Sequence, residues 1–598
     1  MPTVFKESDG VLSFDILING ARIKDTVEII EISIQMELNK ITAASLVISD
    51  GGVIGLVNEP YINSEGNDFI PGNKIKISLG YDSINKPAFE GIIVSQGLSI
   101  KNGRSQLVVI CKDEAVKMTK GRFNAIFQNE KDSDAIQAIA GKYGLSVTVD
   151  ATTTVLPVIM QYNCSDWDFT VIRAEMNNMC VLTDKNSLII KKIDFSQSPK
   201  YKLIASQSII DIDLTIDSEK IAGTYQFTAW DIKQQKESSL DVSQTNNLSL
   251  GNLTAQKLSE AVDNGNSSFY SSASISESEL KTWGETLSTK AELSKIQGRV
   301  TIQGVADLLA GDVVEISGFS ARYNGNAFIT KVSHSLQDGN WLTTLSVGKS
   351  VQLHAALPDI EEIRASGIIP ASGGTQIATV KKIEEDPDGE YRVLVKLPAF
   401  AGTGQDDGIW ARLAFPYASS NAGFFFFPEV GDEVLLNFIN NDPRFAIITG
   451  SLYSSKNTPK EIPDNKNQFK SIFSKSGIKI RFDDEDKILN IETPGGNSFT
   501  LDDKDKKINI KDISGNSVIM DDSGITMDSP KDIKLTAKGD ITISATGGLY
   551  LSANSDVKAD GLNVQLSAKT GFTAKGNATA EVSASGQTTI KGGIVMIN

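Results

Sequence analysis

The chain has 598 residues, 40% hydrophobic and 22% charged, with a formal net charge of −16, and that length exceeds what one hydrophobic core serves, so at least three domains are expected. The acidic balance, without a Lys/Arg cluster interleaved with aromatics, excludes ordinary nucleic-acid binding, and no apolar run is long enough to cross a bilayer. With only His334 and His354 present, a histidine-based zinc site, a Ser-His-Asp triad or a Cys-His pair has little material, which argues against most hydrolases.

The start, MPTVFKESDG, lacks a basic region followed by an apolar core, so no secretory signal is expected and assembly in the cytoplasm is. Cys111, Cys164 and Cys180 are too scattered for a disulfide framework or metal pairing and read as buried small hydrophobes. Residues 1 to about 200 alternate apolar and polar positions in short runs such as VLSFDILING, NKIKISLGYD and LVVICKDEAV, the pattern of half-buried strands. Two helices interrupt them. One runs from Asp132 to Tyr143 and stops at Gly144; the other opens at Ser165 with Asp168 as its capping-box partner and puts Trp167, Val171 and Ala174 on one face.

From about Ile232 to Ser278 the composition turns to Ser, Asn, Gln and Thr, which predicts a long connector. A helix follows from about Glu277 to Gln297, with Leu280, Trp283 and Leu287 on one face and Gly298 as its stop. Strands resume at GRVTIQG and continue to about Gly348, where His334, in KVSHSLQDG with no nucleophile nearby, reads as structural. The small residues of ASGIIPASGG mark a linker over 359–374. Beyond it, IATVKKI, YRVLVKLP, IWARLAFP, FFFFP, EVLLNFI and AIITGSLY, with a tight turn at Asp386-Pro387-Asp388-Gly389, suit a small barrel such as an OB-fold. Phe424 to Phe427 are expected to form a strand buried on both sides, in an oligomer with one face in the barrel and one against a neighbour.

After a spacer the chain repeats itself, and internal periodicity outranks other sequence signals. Phe482-Asp483-Asp484, Leu501-Asp502-Asp503 and Met520-Asp521-Asp522 recur every 19 residues as strand, acidic turn, strand. Clustered carboxylates such as Asp483-Asp484-Glu485-Asp486 and Asp502-Asp503-Lys504-Asp505 could attract calcium, but the EF-hand order is missing and Asp-rich turns are ordinary between strands. From Asp532 the period shortens to eight, with alternating apolar positions at Ile533/Leu535 and Ile541/Ile543, then Leu549/Leu551 and, in looser register, Val564/Leu566. Strands this short cannot bury an apolar face alone. Either a single-chain solenoid or several chains round a shared axis would do so, and units of eight residues favour three interwound chains with those eight residues as the trimer core.

The stretch IATVKKIEEDPDGEYRVLVKLP followed by IWARLAFPYASSNAGFFFFPEVGDEVLLNFINNDPRFAIITGSLY resembles the OB-fold of VgrG and phage baseplate spike proteins. SDWDFTVIRAEMNN, FEGIIVSQ and GDVVEISGFSARYNGNAFITKVSHSLQDGNWLTTLSVG resemble the phage late-control hub family, and KGGIVMIN is similar to the blunt ends of such spikes. The resemblance implies a mainly β homotrimer without a cofactor or catalytic role. Its parts would be a hub of tube-like β-barrels with short helices (1–358), the linker (359–374), the OB-fold (375–455), a spacer (456–470) and an intertwined triple-stranded β-helical needle (471–598). Implied partners are a hexameric Hcp-like inner tube, baseplate proteins, effectors, a target membrane met transiently, and a separate PAAR-type tip. That tip would sit on Lys591, Gly592, Gly593, Ile594, Val595, Met596, Ile597 and Asn598, because the needle has no histidines of its own. The spacer is too short for an inserted lysozyme domain, and no toxin extension beyond Asn598 is expected. A spike-associated cell-wall hydrolase and a phage tail fibre or adhesin stand as alternatives, and type VI secretion, an extracellular particle and a phage all remain open as the machine.

Overall fold

The structure is a computed structural model and describes residues 2–4, 10–53, 60–243, 248–262, 265–358, 360, 364–400 and 408–597. Contacts divide the chain into two compact units: residues 1–427 with 435–449, and residues 428–434 with 450–598.

The first unit is built on a 13-stranded sheet. Its strands alternate apolar and polar side chains, so Ala44, Leu46 and Ile48 of Ala43–Val53 are buried while their neighbours are half-exposed. The sheet wraps two cores. One gathers Ile32, Leu46, Phe69, Ile77, Phe89 and Trp341; the other gathers Leu38, Val300, Val314, Phe328, Val332 and Leu345. The seam between them is the antiparallel pairing of Ile29–Glu37 with Gly325–Gln337, in register from Glu37↔Lys331 to Glu31↔Gln337. Strands roughly 300 residues apart in sequence thus close one sheet.

Smaller layers carry the helices. Asp132–Ala140 ends through a 3₁₀ turn, Gly141–Tyr143, at Gly144 in the left-handed region (φ 68°), and it packs with Asp166–Met176 over Met179–Asp184 and Ser187–Lys192. Ser165 caps the second helix by accepting from the Asp168 backbone N–H, and Trp167, Val171 and Ala174 are buried as the spacing predicts. The polar stretch 232–278 is not the connector its composition suggests. It forms the strand Lys236–Ser243, the helix Ala255–Ala261 and the strand Asn266–Ser271, because Val242, Leu248, Leu250, Ala255 and Leu258 reach buried cores while most of the polar residues described face outward; residues 244–247 and 263–264 lie outside the described residues.

The next helix runs Glu277–Ser294 with a complete capping box between Ser276 and Glu279. It stops earlier than expected. Gly298 is not its terminator but sits inside the strand Ile296–Gln303 at φ 154°, where a Cβ would stand 1.9 Å from the Asp213 carbonyl oxygen. Close approach of the paired strand Ile209–Ile216 is what requires glycine there.

Five strands, Gln376–Lys382, Val393–Lys396, Ile409–Leu413, Ala446–Ser451 and Glu433–Phe438, close the expected small barrel. Its DPDG turn is held by Asp386, whose carboxylate accepts from the backbone N–H groups of Asp388, Glu390 and Arg392 and from the Arg392 guanidinium. Those bonds hold the Asp386 carboxyl well below the usual carboxylate range. Residues 359 and 361–363 of the expected linker lie outside the described residues.

Candidate functional site

The first part of the expected needle is a seven-stranded antiparallel meander from Phe469–Phe473 to Gly524–Asp528, each strand five residues long and paired with the next within the one chain. Constant strand length follows from the turns. Asp483 accepts from the backbone N–H groups of Glu485 and Asp486, Asp502 from Asp505, and Asp521 from Ser523; Gly477, Gly496 and Gly515 occupy the left-handed region at the other end. The acidic turns are therefore taken up by the backbone, and no cluster suited to a metal ion is found among the described residues.

Cross-strand partners share a face, so the register decides which side chains line up. Ile472, Ile480, Ile491, Phe499, Ile510, Val518 and Met527 form one row across all seven strands. A second row on the same face runs from Lys470 through Phe482, Leu489, Leu501, Ile508 and Met520 to Ile525. The row between them points to the opposite face and is polar at Ser471, Arg481, Asn490, Thr500, Asn509 and Thr526, with only Ile519 apolar. Asn490 donates to Thr500 Oγ1 at 3.1 Å, and Lys479 pairs with Glu492 at 2.8 Å on that polar side. The apolar face is open: Phe482, Ile491, Ile510 and Met527 are exposed in the single chain, and Ile491, Phe499, Ile510, Val518 and Met527 of the first row line a groove of about 600 Å³ together with Ile533 and the charged Glu492, Lys511, Asp512, Asp528 and Asp532.

Beyond Asp528 intrachain strand pairing ends. No strand is formed among residues 529–597, although the apolar alternation goes on. The expected core residues Ile533, Leu535, Ile541, Ile543, Leu549, Leu551, Val564 and Leu566 are 55–75% exposed. The expected tip site is equally open at Ile594, Val595, Met596 and Ile597, and Asn598 lies outside the described residues. An extended backbone with large apolar side chains in water on every second residue is not a stable state for an isolated chain.

In the barrel, Phe424–Phe427 correct the expectation of a doubly buried strand. Ala422–Gly423 pair with Ala418–Ser419 and the Phe424 N–H still donates to the Tyr417 carbonyl oxygen at 3.0 Å; beyond it no strand is formed before Pro428, and Phe425 is 81% exposed. The rings touch one another instead, Phe425 to Phe427 at 4.9 Å and Phe424 to Phe426 at 6.3 Å between centroids. Pro428, which has no N–H for a ladder, was the available signal against a strand running through this point.

The first unit holds an apolar cavity of about 450 Å³ between the helices Asp166–Met176 and Glu277–Ser294 and the strands Thr224–Asp231 and Asn266–Ser271, lined by Met176, Phe227, Phe269 and Trp283. Its one carboxylate, Glu175, is fully engaged. Asn39 Nδ2 donates to it at 3.0 Å, Lys290 Nζ at 2.9 Å and the His354 backbone N–H at 2.7 Å. His354 Nε2 lies 3.0 Å from Asp168, whose carboxyl burial would raise but hydrogen bonds with His354 and Ser165 hold low. His334 is buried against Thr343 Oγ1, and burial pushes it down to about 4. Cys111 and Cys180 are buried, with thiols pushed up to about 12 and about 11, while Cys164 is half-buried.

Residues 8–338 match the family described as Alg8 N-terminal domain, and residues 376–453 match the type VI secretion system/phage-baseplate injector OB domain. The type VI secretion system spike protein VgrG1a of Pseudomonas aeruginosa is 25% identical over 214 residues, 33% of this chain and 33% of that protein. VgrG1b of the same organism is 22% identical over 454 residues, 70% of this chain and 60% of that one. Among solved structures, the 43 kDa tail protein of prophage MuSo2 from Shewanella oneidensis shares 12% identity, covering 56% of this chain and 98% of its own, with a TM-score of 0.44. The chain thus spans about a third of the first of these relatives.

Proposed function

This chain belongs to the Alg8 N-terminal domain family, and from that membership together with its injector OB domain we propose that it is the structural central spike of a contractile injection system. In this reading residues 1–358 are the hub, 375–455 the OB domain and 471–598 the needle, joined by the linker 359–374 and the spacer 456–470. Three copies assemble, their hubs meet a hexameric inner-tube ring and baseplate proteins, and the needle carries a separate PAAR-type tip on Lys591–Asn598. The particle is put together in the cytoplasm and passes a target membrane when the sheath contracts, with effectors as cargo. The role is mechanical, with force passed along the axis and no bond made or broken.

The observation that carries this reading is the stretch 532–597, whose alternating apolar residues stay exposed and which forms no strand with its own chain. Backbone amides and carbonyls of a sheet must be paired, and apolar rows must be covered; winding three copies round one axis does both and leaves few free edges. The injector OB domain and the spike names of the aligned relatives support the same reading.

Electron microscopy of the purified full-length chain tests it. The expected particle is a threefold rod with a wider hub, binding a PAAR-type protein at the thin end and losing it on Ile594→Asp with Met596→Asp. A monomer without a rod would overturn the proposal.

A further inference from the structure

We propose that the pocket of about 450 Å³ in the first unit binds the hydrocarbon chain of a small amphiphile with a neutral polar head, its methylenes lying along the helix Glu277–Ser294 and its head meeting the Tyr270 hydroxyl at the mouth. The inference stands apart from the spike reading and gives the protein a ligand site besides its mechanical role.

The pocket is an elongated slot with three walls. Leu280, Trp283 and Leu287 recur at intervals of three and four residues, so one stripe of Glu277–Ser294, about 10 Å long at about 1.5 Å per residue, forms the first. Ile172 and Met176, four residues apart on Asp166–Met176, form the second. Phe227 and Phe269 form the third, paired in register on neighbouring strands with their rings stacked 5.2 Å apart. The volume falls in the range of ~300–1,000 Å³ typical of small-molecule pockets.

The polar side chains on these walls decide what the slot can hold, because a polar ligand atom buried without a partner is costly. All but one are already engaged. Glu175 accepts from Asn39, Lys290 and the His354 backbone, while Thr286 Oγ1 donates to the Glu175 carbonyl oxygen at 2.8 Å and accepts from the Asn178 N–H at 3.1 Å. Ser271 Oγ accepts from the Ala273 N–H at 3.1 Å, and the Thr228 hydroxyl lies 3.2 Å from that of Ser239. A sugar or a nucleotide finds no partner along such walls; methylenes need none. The exception is Tyr270, which is 79% exposed and whose hydroxyl makes no hydrogen bond among the described residues. It can donate and accept, as a neutral hydroxyl head can. No Lys or Arg lines the pocket to hold an anionic head.

The same bonds hold the slot open before a ligand arrives. Thr286 and Lys290 of one helix are tied to Glu175 of the other, so two walls are fixed by the fold and binding orders little of the protein. A chain rather than a compact ring follows from the stripe, which runs two helical turns and offers aliphatic contacts at Leu280 and Leu287 on either side of Trp283. Each methylene drawn from water onto that stripe adds the same increment until the slot is full.

Titration calorimetry of the full-length protein with hexanol, heptanol, octanol and decanol tests this. Affinity is expected to rise about fourfold for each methylene from hexanol to octanol, with a change in tryptophan emission that Trp283→Phe abolishes. Ala355→Trp adds a large ring at an exposed position on the lining, and is expected to abolish octanol binding with the melting point unchanged. Met176→Phe fills the slot from the second wall and is expected to end the gain in affinity at a shorter alcohol, which keeps the test decisive if Ala355→Trp does not fold. Tyr270→Phe is expected to weaken octanol by about two- to tenfold, the worth of one hydrogen bond. Equal affinity for hexanol and octanol, octanol binding unchanged in folded Ala355→Trp or in Met176→Phe, a Tyr270→Phe variant equal to wild type, octanoate binding tighter than octanol, or naphthalene binding tighter than decanol would each overturn the inference while leaving the spike reading in place.

Discussion

Replacing Lys290 by Met tests whether the hub is held where three separate segments meet on one buried carboxylate. The Glu175 and Lys290 side chains are only 7% and 8% exposed and lie 2.9 Å apart. Glu175 also receives Asn39 from the turn after Ile29–Glu37 and the backbone of His354, the residue that leads toward the linker. Lys290→Met keeps the apolar stem but strands the carboxylate in a dry site, and removing one partner of a buried pair costs about 3–5 kcal/mol. Glu175→Leu strands the ammonium instead, with only the Gln352 carbonyl left to it at 3.0 Å. The double variant removes both charges and is expected to cost far less than the two single changes together. In scanning calorimetry the hub transition of each single variant should fall by several degrees, at about 2 °C per kcal/mol for a domain of this size. A Lys290→Met shift below about 1 °C, or a double variant equal to the sum of the singles, would refute the reasoning.

The remaining predictions concern groups placed by the same packing. His334 has a folded value of about 4 against an unfolded 6.5, so the unfolded chain binds more protons between those limits and hub stability falls as pH drops through them. Between pH 7 and pH 5 the loss is about 2 kcal/mol, and His334→Gln should remove that part of the acid slope in urea titrations. Gly298→Ala should lower hub stability by about 3 kcal/mol, because neither the φ of 154° nor the Asp213 carbonyl leaves room for a Cβ; a melting point unchanged from wild type would contradict the strand crossing. Native Cys111 and Cys180 should resist iodoacetamide at pH 8, as buried thiols pushed up to about 12 and about 11 hold almost no thiolate, and mass spectrometry after labelling reads this directly.

The barrel and the 19-residue repeat were legible because their signals are local. Period-two alternation fixes a strand's faces, and Asp386 and Gly389 announce their turn through side-chain acceptors and positive φ, which need no distant partner. What sequence missed depends on tertiary company. The polar stretch 232–278 folds because five apolar residues, Val242, Leu248, Leu250, Ala255 and Leu258, find cores supplied by segments far along the chain. Gly298 looks like a helix stop until the opposite strand reveals why a side chain cannot fit. The seam of Ile29–Glu37 with Gly325–Gln337 has no local mark at all. In the needle, periodicity predicted strands throughout, but it could not separate residues 469–528, which pair within the chain, from residues 532–597, which do not; only the register does so. Phe424–Phe427 show the limit of hydrophobicity as a guide to burial, since apolar residues next to a proline leave the ladder and lie open in one chain.

The most direct test of the account is the mass of the purified full-length chain in solution, read by light scattering across a dilution series. The account predicts three times the 64.4 kDa chain mass, unchanged on dilution, whereas a single-chain mass with residues 532–597 resistant to protease would contradict it.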